Sequence, residues 1–178
     1  SDNPLVASVS ASGLLTATGE GTTRVRATAS GFSEATLGVT VNPGALLQPA
    51  GGTHSVASLG VVLVVPAGAV STPTVLFART AAVSAGDPAM IANSHIELAP
   101  AAGALTLPIE VRMQIPSTGR PFGLPASALA IRRREGTGYV NVPGAVDEAS
   151  GRVTGTVTVP AVIGIGRRVP TVPCSASE

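Results

Sequence analysis

Residues 51–75, GGTHSVASLGVVLVVPAGAVSTPTV, decide the fold of most of this chain. They hold an unbroken apolar run at 61–65, which stops at the Pro-Ala-Gly-Ala sequence of 66–69 and resumes at 74–77. A short run made almost wholly of Val and bounded by Gly and Pro predicts a strand that is buried on both faces. We therefore expect residues 51–75 to form a first hairpin with a Pro-Gly corner, onto which later strands assemble.

The composition of the chain favours strands and frequent turns. Its 178 residues include 15 Pro and 21 Gly, and only 2% are aromatic, so the core must be built from Val, Leu, Ile and Ala. Charged residues make up 12% of the chain, against roughly 25% in ordinary soluble domains. A surface of Thr, Ser, Gly and Ala suits an extracellular β-module better than a cytosolic enzyme. The net charge of +1 provides no field to recruit nucleic acid or acidic lipid.

Alternation of apolar and polar residues predicts antiparallel strands along the whole chain. The cleanest case is 109–115, IEVRMQI, where Glu110, Arg112 and Gln114 share one face and the apolar residues share the other. We expect this strand to pack against 61–65. The loop at 147–151, DEASG, predicts a hairpin with its Gly in a left-handed conformation. Further strands are predicted at 23–29, 37–41, 75–78, 95–98, 128–133, 139–142, 152–159 and 162–165, and a turn or two of helix only at 81–92.

The first module carries a family resemblance. The stretch 6–41, VASVSASGLLTATGEGTTRVRATASGFSEATLGVTV, resembles the second half of a bacterial immunoglobulin-like domain of group 2, with matches at 6–9, 13–17, 21–22 and 39–41. The first strands of that family are absent. Either this chain is a piece of a longer protein, or the missing strands come from another molecule. A sandwich of this kind needs about seven strands, and an incomplete sheet exposes backbone groups that can pair with an added strand.

The second module carries another resemblance, to the ZU5-type β-sandwich of bacterial surface proteins. The motifs are Val-Pro-Ala-Gly-Ala at 65–69, LAPAAG at 98–103, and Leu107-Pro108 at the start of the next strand. The resemblances imply a partial Ig-like module at 1–43 and a ZU5-like sandwich at 51–166. Residues 44–50 are then a linker or an adapting strand, and 167–178 are a Pro/Ser-rich tail. The two families serve as extracellular adhesion or scaffolding modules. The His-Phe-Ser step at which some ZU5 proteins cleave themselves is missing from 159–164.

No residue pattern predicts an active site or a bound metal. His54 and His95 lie apart without a metal-ligand spacing, and Cys174 is the only thiol, so we expect satisfied or exposed strand histidines. Asp87 and the Asp147-Glu148 pair are too sparse to bind calcium through side chains alone. A Gly-x-Ser-x-Gly elbow is absent. We therefore assign no catalytic, cofactor-binding or metal-binding residue and expect a protein that is not an enzyme.

Arginine forms the sharpest charge cluster, at 132–134. In a strand Arg132 and Arg134 share one face and Arg133 takes the other, so at most two residues form a patch. With one Tyr and no Trp there is no stacking platform for nucleic acid, and we expect a solvated outer face or edge. The second pair, at 167–168, begins the predicted tail. The lone Cys174 in that tail is either unpaired or pairs outside this chain.

These observations predict a non-enzymatic structural or interaction module of a secreted or cell-surface bacterial protein. A specific version is a subunit of an extracellular fibre or layer that assembles by strand complementation. Its partners are other copies or other domains of the same surface protein, with no nucleic acid and no membrane span. The alternative is an adhesin-type module that binds a glycan or a host protein. Such a module would have only four aromatic side chains at its disposal, Phe32, Phe77, Phe122 and Tyr139.

Overall fold

The computed structural model describes residues 1–81, 87–101, 103–117 and 124–169. Over these residues the chain is all-β, with fifteen strands and two short 3-10 turns, Ala57–Leu59 and Ala126–Ala128. Every strand pairing is antiparallel, which confirms the predicted fold class. The chain divides into two compact units, Ser1–Pro43 and Gly44–Glu178. Of the helical turns predicted at 81–92, residues 82–86 lie outside the described part, and 87–92 contain no helix.

The first unit consists of two separate two-stranded sheets. Its strands are β1 (Ala7–Val9), β2 (Leu15–Ala17), β3 (Gly21–Ala27) and β4 (Ala35–Val41). Strand β1 pairs with β2, and β3 pairs with β4 along its whole length. Val6 and Ala7 are the buried apolar residues of this unit. Two pairs of strands with so little buried surface do not close a sandwich.

The second unit contains two larger sheets. Its strands are β5 (Gly44–Leu47), β6 (Gly52–Val56), β7 (Val61–Val65), β8 (Thr74–Thr80), β9 (Ile96–Pro100), β10 (Ile109–Gln114), β11 (Leu129–Glu135), β12 (Gly138–Asn141), β13 (Val146–Asp147), β14 (Arg152–Val157) and β15 (Ala161–Arg167). One sheet has the order β13-β14-β10-β7-β6 and the other β12-β11-β15-β9-β8-β5. Side chains of both sheets form one apolar core, so the unit is a β-sandwich. Its fully buried large residues include Leu47, Leu63, Leu76, Leu98, Ile109, Ile131 and Ile163.

The stretch 51–75 forms the edge strand β6, its neighbour β7 and the start of β8. Strands β6 and β7 form its hairpin, closed by a 3-10 turn that ends at Gly60 with φ +62°. The corner at 66–69 follows, where the Gly68 amide donates to the Pro49 carbonyl at 2.8 Å. The chain then crosses to the other sheet as β8. Strand β10 is the direct neighbour of β7, with Val111 opposite Leu63, so the predicted partner of β7 is also its hydrogen-bonded one.

The predicted burial of β7 on both faces was wrong. Its residues 61, 63 and 65 are buried in the core, whereas Val62 and Val64 are only half-buried. The reason is the register of the sheet, which places Arg112 beside Val62 and Glu110 beside Val64 on the outer face. An antiparallel sandwich sheet has one solvated side, and in this chain with few charges Val occupies part of it.

The ends of the second unit differ from the sequence-based boundaries. Residues 44–47, taken from the sequence as part of a linker or an adapting strand, form β5 and pair with β8, and Leu47 is fully buried. At the other end β15 continues to Arg167. Beyond it the Arg168 amide donates to the Ala128 carbonyl at 2.7 Å, so the first residues of the predicted tail are hydrogen-bonded. Residues 170–178, including Cys174, lie outside the described part.

Candidate interaction surface

One face of the β3–β4 pair in the first unit is apolar and partly exposed. We call it the open face and define it by Val25, Leu37, Val39 and Val41, which the register places on the same side. Leu37 is 58% exposed, and the three valines are half-buried. One end is covered by Val6, since a Cβ built on Gly21 would lie 3.1 Å from the Val6 side chain. Towards the other end Leu37, opposite Val25, stays largely exposed.

The opposite face of the same pair is polar and holds its own ion pairs. Arg26 donates from Nε and Nη2 to the two carboxylate oxygens of Asp2, both at 2.9 Å, and lies 3.6 Å from Glu34. The hydrogen bond from Arg26 lowers the pKa of Asp2 below its ordinary value. This face is therefore suited to water, whereas the open face carries no charged side chain.

The two edges of this sheet are not equivalent. On the β3 edge the Asp2 amide donates to the Arg24 carbonyl at 2.9 Å, and the Asn3 amide donates to Oγ1 of Thr23 at 2.9 Å. Strand β4 pairs with β3 alone, and among the described residues no other strand lies along its outer edge. An unpaired edge presents a row of N–H and C=O groups that can add a further strand. The first unit therefore presents an apolar face and, beside it, a strand edge without a partner strand.

Further apolar side chains of the first unit are exposed outside the open face. Leu5 and Phe32 are each at least 80% exposed. Leu14, Leu15 and Val9 are also exposed, on and beside the β1–β2 pair. The first unit therefore leaves several large apolar side chains open to solvent.

The two histidines lie in different surroundings in the second unit. His54 is half-buried in β6, opposite Leu63. His95 precedes β9 and is only 2% exposed, and both of its ring nitrogens lack a hydrogen-bond partner among the described residues. The expectation of satisfied or exposed histidines was therefore wrong for His95, and Nε2 of His54 is likewise buried without a hydrogen-bond partner among the described residues. Burial lowers the pKa of His95, and the Asp87 carboxylate opposes that shift.

Arg132 is also buried, which corrects the prediction of a solvated arginine cluster. It is 5% exposed, and its Nη1 donates to Oδ2 of Asp87 at 2.8 Å while Nη2 donates to the Tyr139 carbonyl at 2.5 Å. The prediction failed because it treated the outer face of β11 as open to water. Arg133 and Arg134 fit it better, since Arg133 is half-buried beside Glu135 and Arg134 is exposed.

Sequence analysis missed this cluster of buried polar groups, but a signal was present. In β15 the residues Gly164 and Gly166 alternate with the core residues Ile163 and Ile165, so the outer face of the strand has no side chains there. Bare backbone on an outer face leaves room for neighbouring side chains and for a covering segment. The aromatic ring of Tyr139 lies in this room, edge-on to His95 with ring centroids 5.4 Å apart.

The acidic candidates serve local structure. Asp147 accepts hydrogen bonds from the Ala149 and Ser150 amides at 3.1 and 3.2 Å and from the Ser150 hydroxyl at 2.6 Å. These bonds lower its pKa and fix the predicted hairpin, in which Gly151 has φ +63°. The side chain of Asp87 pairs with Arg132. Over the described ranges no three His, Cys, Asp or Glu side chains gather closely enough to hold a metal ion.

Three of the four aromatic residues lie in the described part of the chain. Phe32 lies in the first unit, and Phe77 lies in the second, where it is partly exposed. Tyr139 is buried against His95, and Phe122 falls outside the described residues.

Within the part of the chain that the structure describes, no helix is long and apolar enough to cross a membrane. No family model matches this chain and no curated protein matches it, so the two resemblances rest on the sequence motifs.

Proposed function

We propose that this chain is a structural module of a secreted or cell-surface bacterial protein, and that it assembles by strand complementation. The observation that carries the proposal is the open face of the first unit, with Leu37 58% exposed beside the unpaired edge of β4. A strand from another copy, or from another domain of the same surface protein, adds to that edge. The second unit acts as the folded body that such an assembly repeats.

The energetics favour an added strand. Backbone groups along β4 gain hydrogen-bond partners from a neighbouring strand, as in other cases of strand addition. An incoming strand with apolar residues on one side extends the open face within the plane of the sheet and packs beside the apolar side chains of β4. Complete burial of an exposed leucine contributes about 1.5–3 kcal/mol, and Leu37, which is 58% exposed, gains part of that amount. The low charge content of the chain, 12%, places few like charges in the way of such packing.

Self-association of the full chain tests the proposal. Sedimentation over a range of protein concentrations is expected to show oligomers, and amide exchange in β4 is expected to slow as they form. The variant Leu37→Asp places a charge on the open face and should weaken association by about tenfold or more, because a buried charge without a partner is costly. Electron micrographs of the concentrated protein should show fibres or layers.

The matched control is Thr36→Asp, which puts the same charge on the same strand but on the polar face. It should leave association close to that of the unaltered chain. The proposal of assembly between copies fails if the chain stays monomeric at every concentration with rapid exchange in β4. It also fails if the two variants weaken association equally.

A further inference from the structure

A segment of the second unit covers the outer face of the six-stranded sheet. We call residues 87–94 the cover. The Ile91 amide donates to the Ile165 carbonyl at 2.8 Å, and the Arg167 amide donates to the Ala89 carbonyl at 2.6 Å. The Ser94 hydroxyl also donates to the Ile165 carbonyl, at 3.1 Å, and accepts from the Ile165 amide at 3.0 Å. The cover is therefore held to β15 by a few hydrogen bonds.

The cover lies directly on the bare part of β15. A Cβ built on Gly164 would be 2.7 Å from Cε of Met90, and one built on Gly166 would be 2.7 Å from the Ala89 carbonyl oxygen. A side chain on Gly166 would displace the backbone of the cover, whereas one on Gly164 would displace the terminal methyl group of Met90. Because Gly164 and Gly166 have no side chains, they leave the space on β15 that the cover occupies.

His95 and Arg132 flank this bare strand beneath the cover. Arg132 is opposite Gly164 in the pairing of β11 with β15. On the other side β9 pairs with β15 up to Ile96, and the His95 ring carbon Cδ2 would lie 3.1 Å from a Cβ on Gly164. Two side chains that are distant in sequence therefore lie beside the same bare stretch of β15, with Cδ of Arg132 2.8 Å from a Cβ built on Gly166.

The charged and titratable groups around His95 come from three elements. Asp87 belongs to the cover, Arg132 to β11 and Tyr139 to β12, whereas β15 contributes glycines. The Asp87 carboxylate is already bonded to Arg132 at 2.8 Å. A proton on His95 would place a second cation in this space, where neither ring nitrogen has an acceptor. An unpaired buried charge is strongly unfavourable.

We propose that protonation of His95 opens the cover, so that residues 87–94 form an acid-sensitive segment on an otherwise stable sandwich. When the cover is closed, His95 is neutral. When it is open, water solvates the imidazolium and the cation is tolerated. The switch needs no change in the core, because the cover is attached to the outer face of the sheet.

The direction of the pH dependence follows from proton linkage. Burial lowers the pKa of His95 in the closed state, although Asp87 offsets part of the shift. The open state, with an ordinary pKa of about 6.5, therefore binds more protons. Closure is fully favoured above that pH and is lost as the pH falls towards the lowered value. For one proton, the protection of the cover falls by up to about tenfold per pH unit in this window.

Amide exchange and histidine NMR on the full chain test the proposal together. After correction for intrinsic exchange, protection of the Ile91 and Arg167 amides should fall between about pH 7.5 and about pH 5, the range in which histidines change charge. Protection of the Leu63 and Val111 amides in the core should stay constant. The chain has two histidines, so the His95 ring signal can be assigned with one variant, His54→Phe. That signal should titrate below about 6.5.

Two variants separate the switch from general acid sensitivity. His95→Phe removes the titrating group and should make the protection of Ile91 independent of pH in this range. His54→Phe is the matched control and should keep the fall. If His95→Phe does not fold, the measurements on the unaltered chain still decide. The proposal is overturned if Ile91 and Arg167 stay equally protected at both pH values, or if His95 titrates at about 6.5 or above.

Discussion

The two units of this chain use the same kinds of residue to opposite effect. In the first, alternating Val, Leu and Ala produce strands whose apolar face stays open, and Leu37 is 58% exposed. In the second, the same alternation produces two sheets that bury Leu63 and Leu76 completely. The difference shows that alternation specifies a strand and the direction of its side chains. Burial requires a second layer, which four strands in two separate pairs do not provide.

The largest expected effect comes from truncating one leucine in each unit. Leu63→Ala opens a cavity in the sandwich core and should lower the free energy of unfolding by about 2–5 kcal/mol. The counterpart Leu37→Ala removes a side chain from the open face and should change it by less than about 0.5 kcal/mol. Urea denaturation followed by circular dichroism, at a concentration where the chain is monomeric, measures both. Similar losses in the two variants would contradict the contrast between the units.

A second prediction concerns how tightly the backbone of the second unit is packed. Gly51 and Gly68 both have left-handed φ values, +76° and +82°. A Cβ on Gly51 would clash with the Val65 carbonyl oxygen, whereas one on Gly68 would meet nothing within 4 Å. Gly68→Ala should cost about 1–2 kcal/mol, the usual strain of this conformation.

The variant Gly51→Ala carries the same strain together with the clash. It should cost roughly 1–3 kcal/mol more than Gly68→Ala, measured as the shift of the urea midpoint under identical conditions. Since φ is alike at the two positions, the difference isolates the close packing of Gly51 against the backbone at 65–67. Equal losses would mean that the corner can move away from the added methyl group at little expense.

The smallest expected effect compares one exposed aspartate in each unit. The pKa of Asp2 is lowered mainly by its hydrogen bond from Arg26, and that of Asp147 mainly by the Ser150 hydroxyl. Carboxyl NMR should show both titrating below the ordinary value of 3.8. Arg26→Gln should return Asp2 towards that value, and Ser150→Ala should do so for Asp147.

Salt and acid distinguish the two aspartates further. Added salt should weaken the shift of Asp2, which involves an exposed ion pair, more than that of Asp147. Because both folded pKa values are lowered, the stabilisation is present above about pH 4 and is lost as the pH falls through the folded value. Retention of the Asp147 shift in Ser150→Ala would show that the turn amides alone produce it.

The parts of this structure that could be predicted are those set by neighbours in sequence. The alternation of 109–115 gave β10, and the turn chemistry of 147–151 gave the hairpin with its left-handed Gly151. The burial of Arg132 and His95 could not be derived in this way. It depends on the order β11-β15-β9, which brings two distant segments to either side of Gly164.

The open face could be predicted from the sequence only in part. Its pattern was visible in the sequence, because Leu37, Val39 and Val41 alternate with smaller or polar residues. Alternation predicts which side of a strand is apolar, but it does not predict whether another layer covers that side. The burial of β7 was overestimated for the same reason, since a run of Val has the same sequence whether one or both faces of the strand are covered.

The position of Tyr139 has a practical consequence. The chain contains no Trp and one Tyr, so its near-ultraviolet emission comes from a single ring. That ring rests edge-on against His95, 5.4 Å away between centroids. Exposure of either ring to water should change the fluorescence of Tyr139. The change can be followed without an attached label. Tyr139 is therefore an intrinsic fluorescent probe of the site where the buried polar residues Ser94, His95 and Arg132 lie.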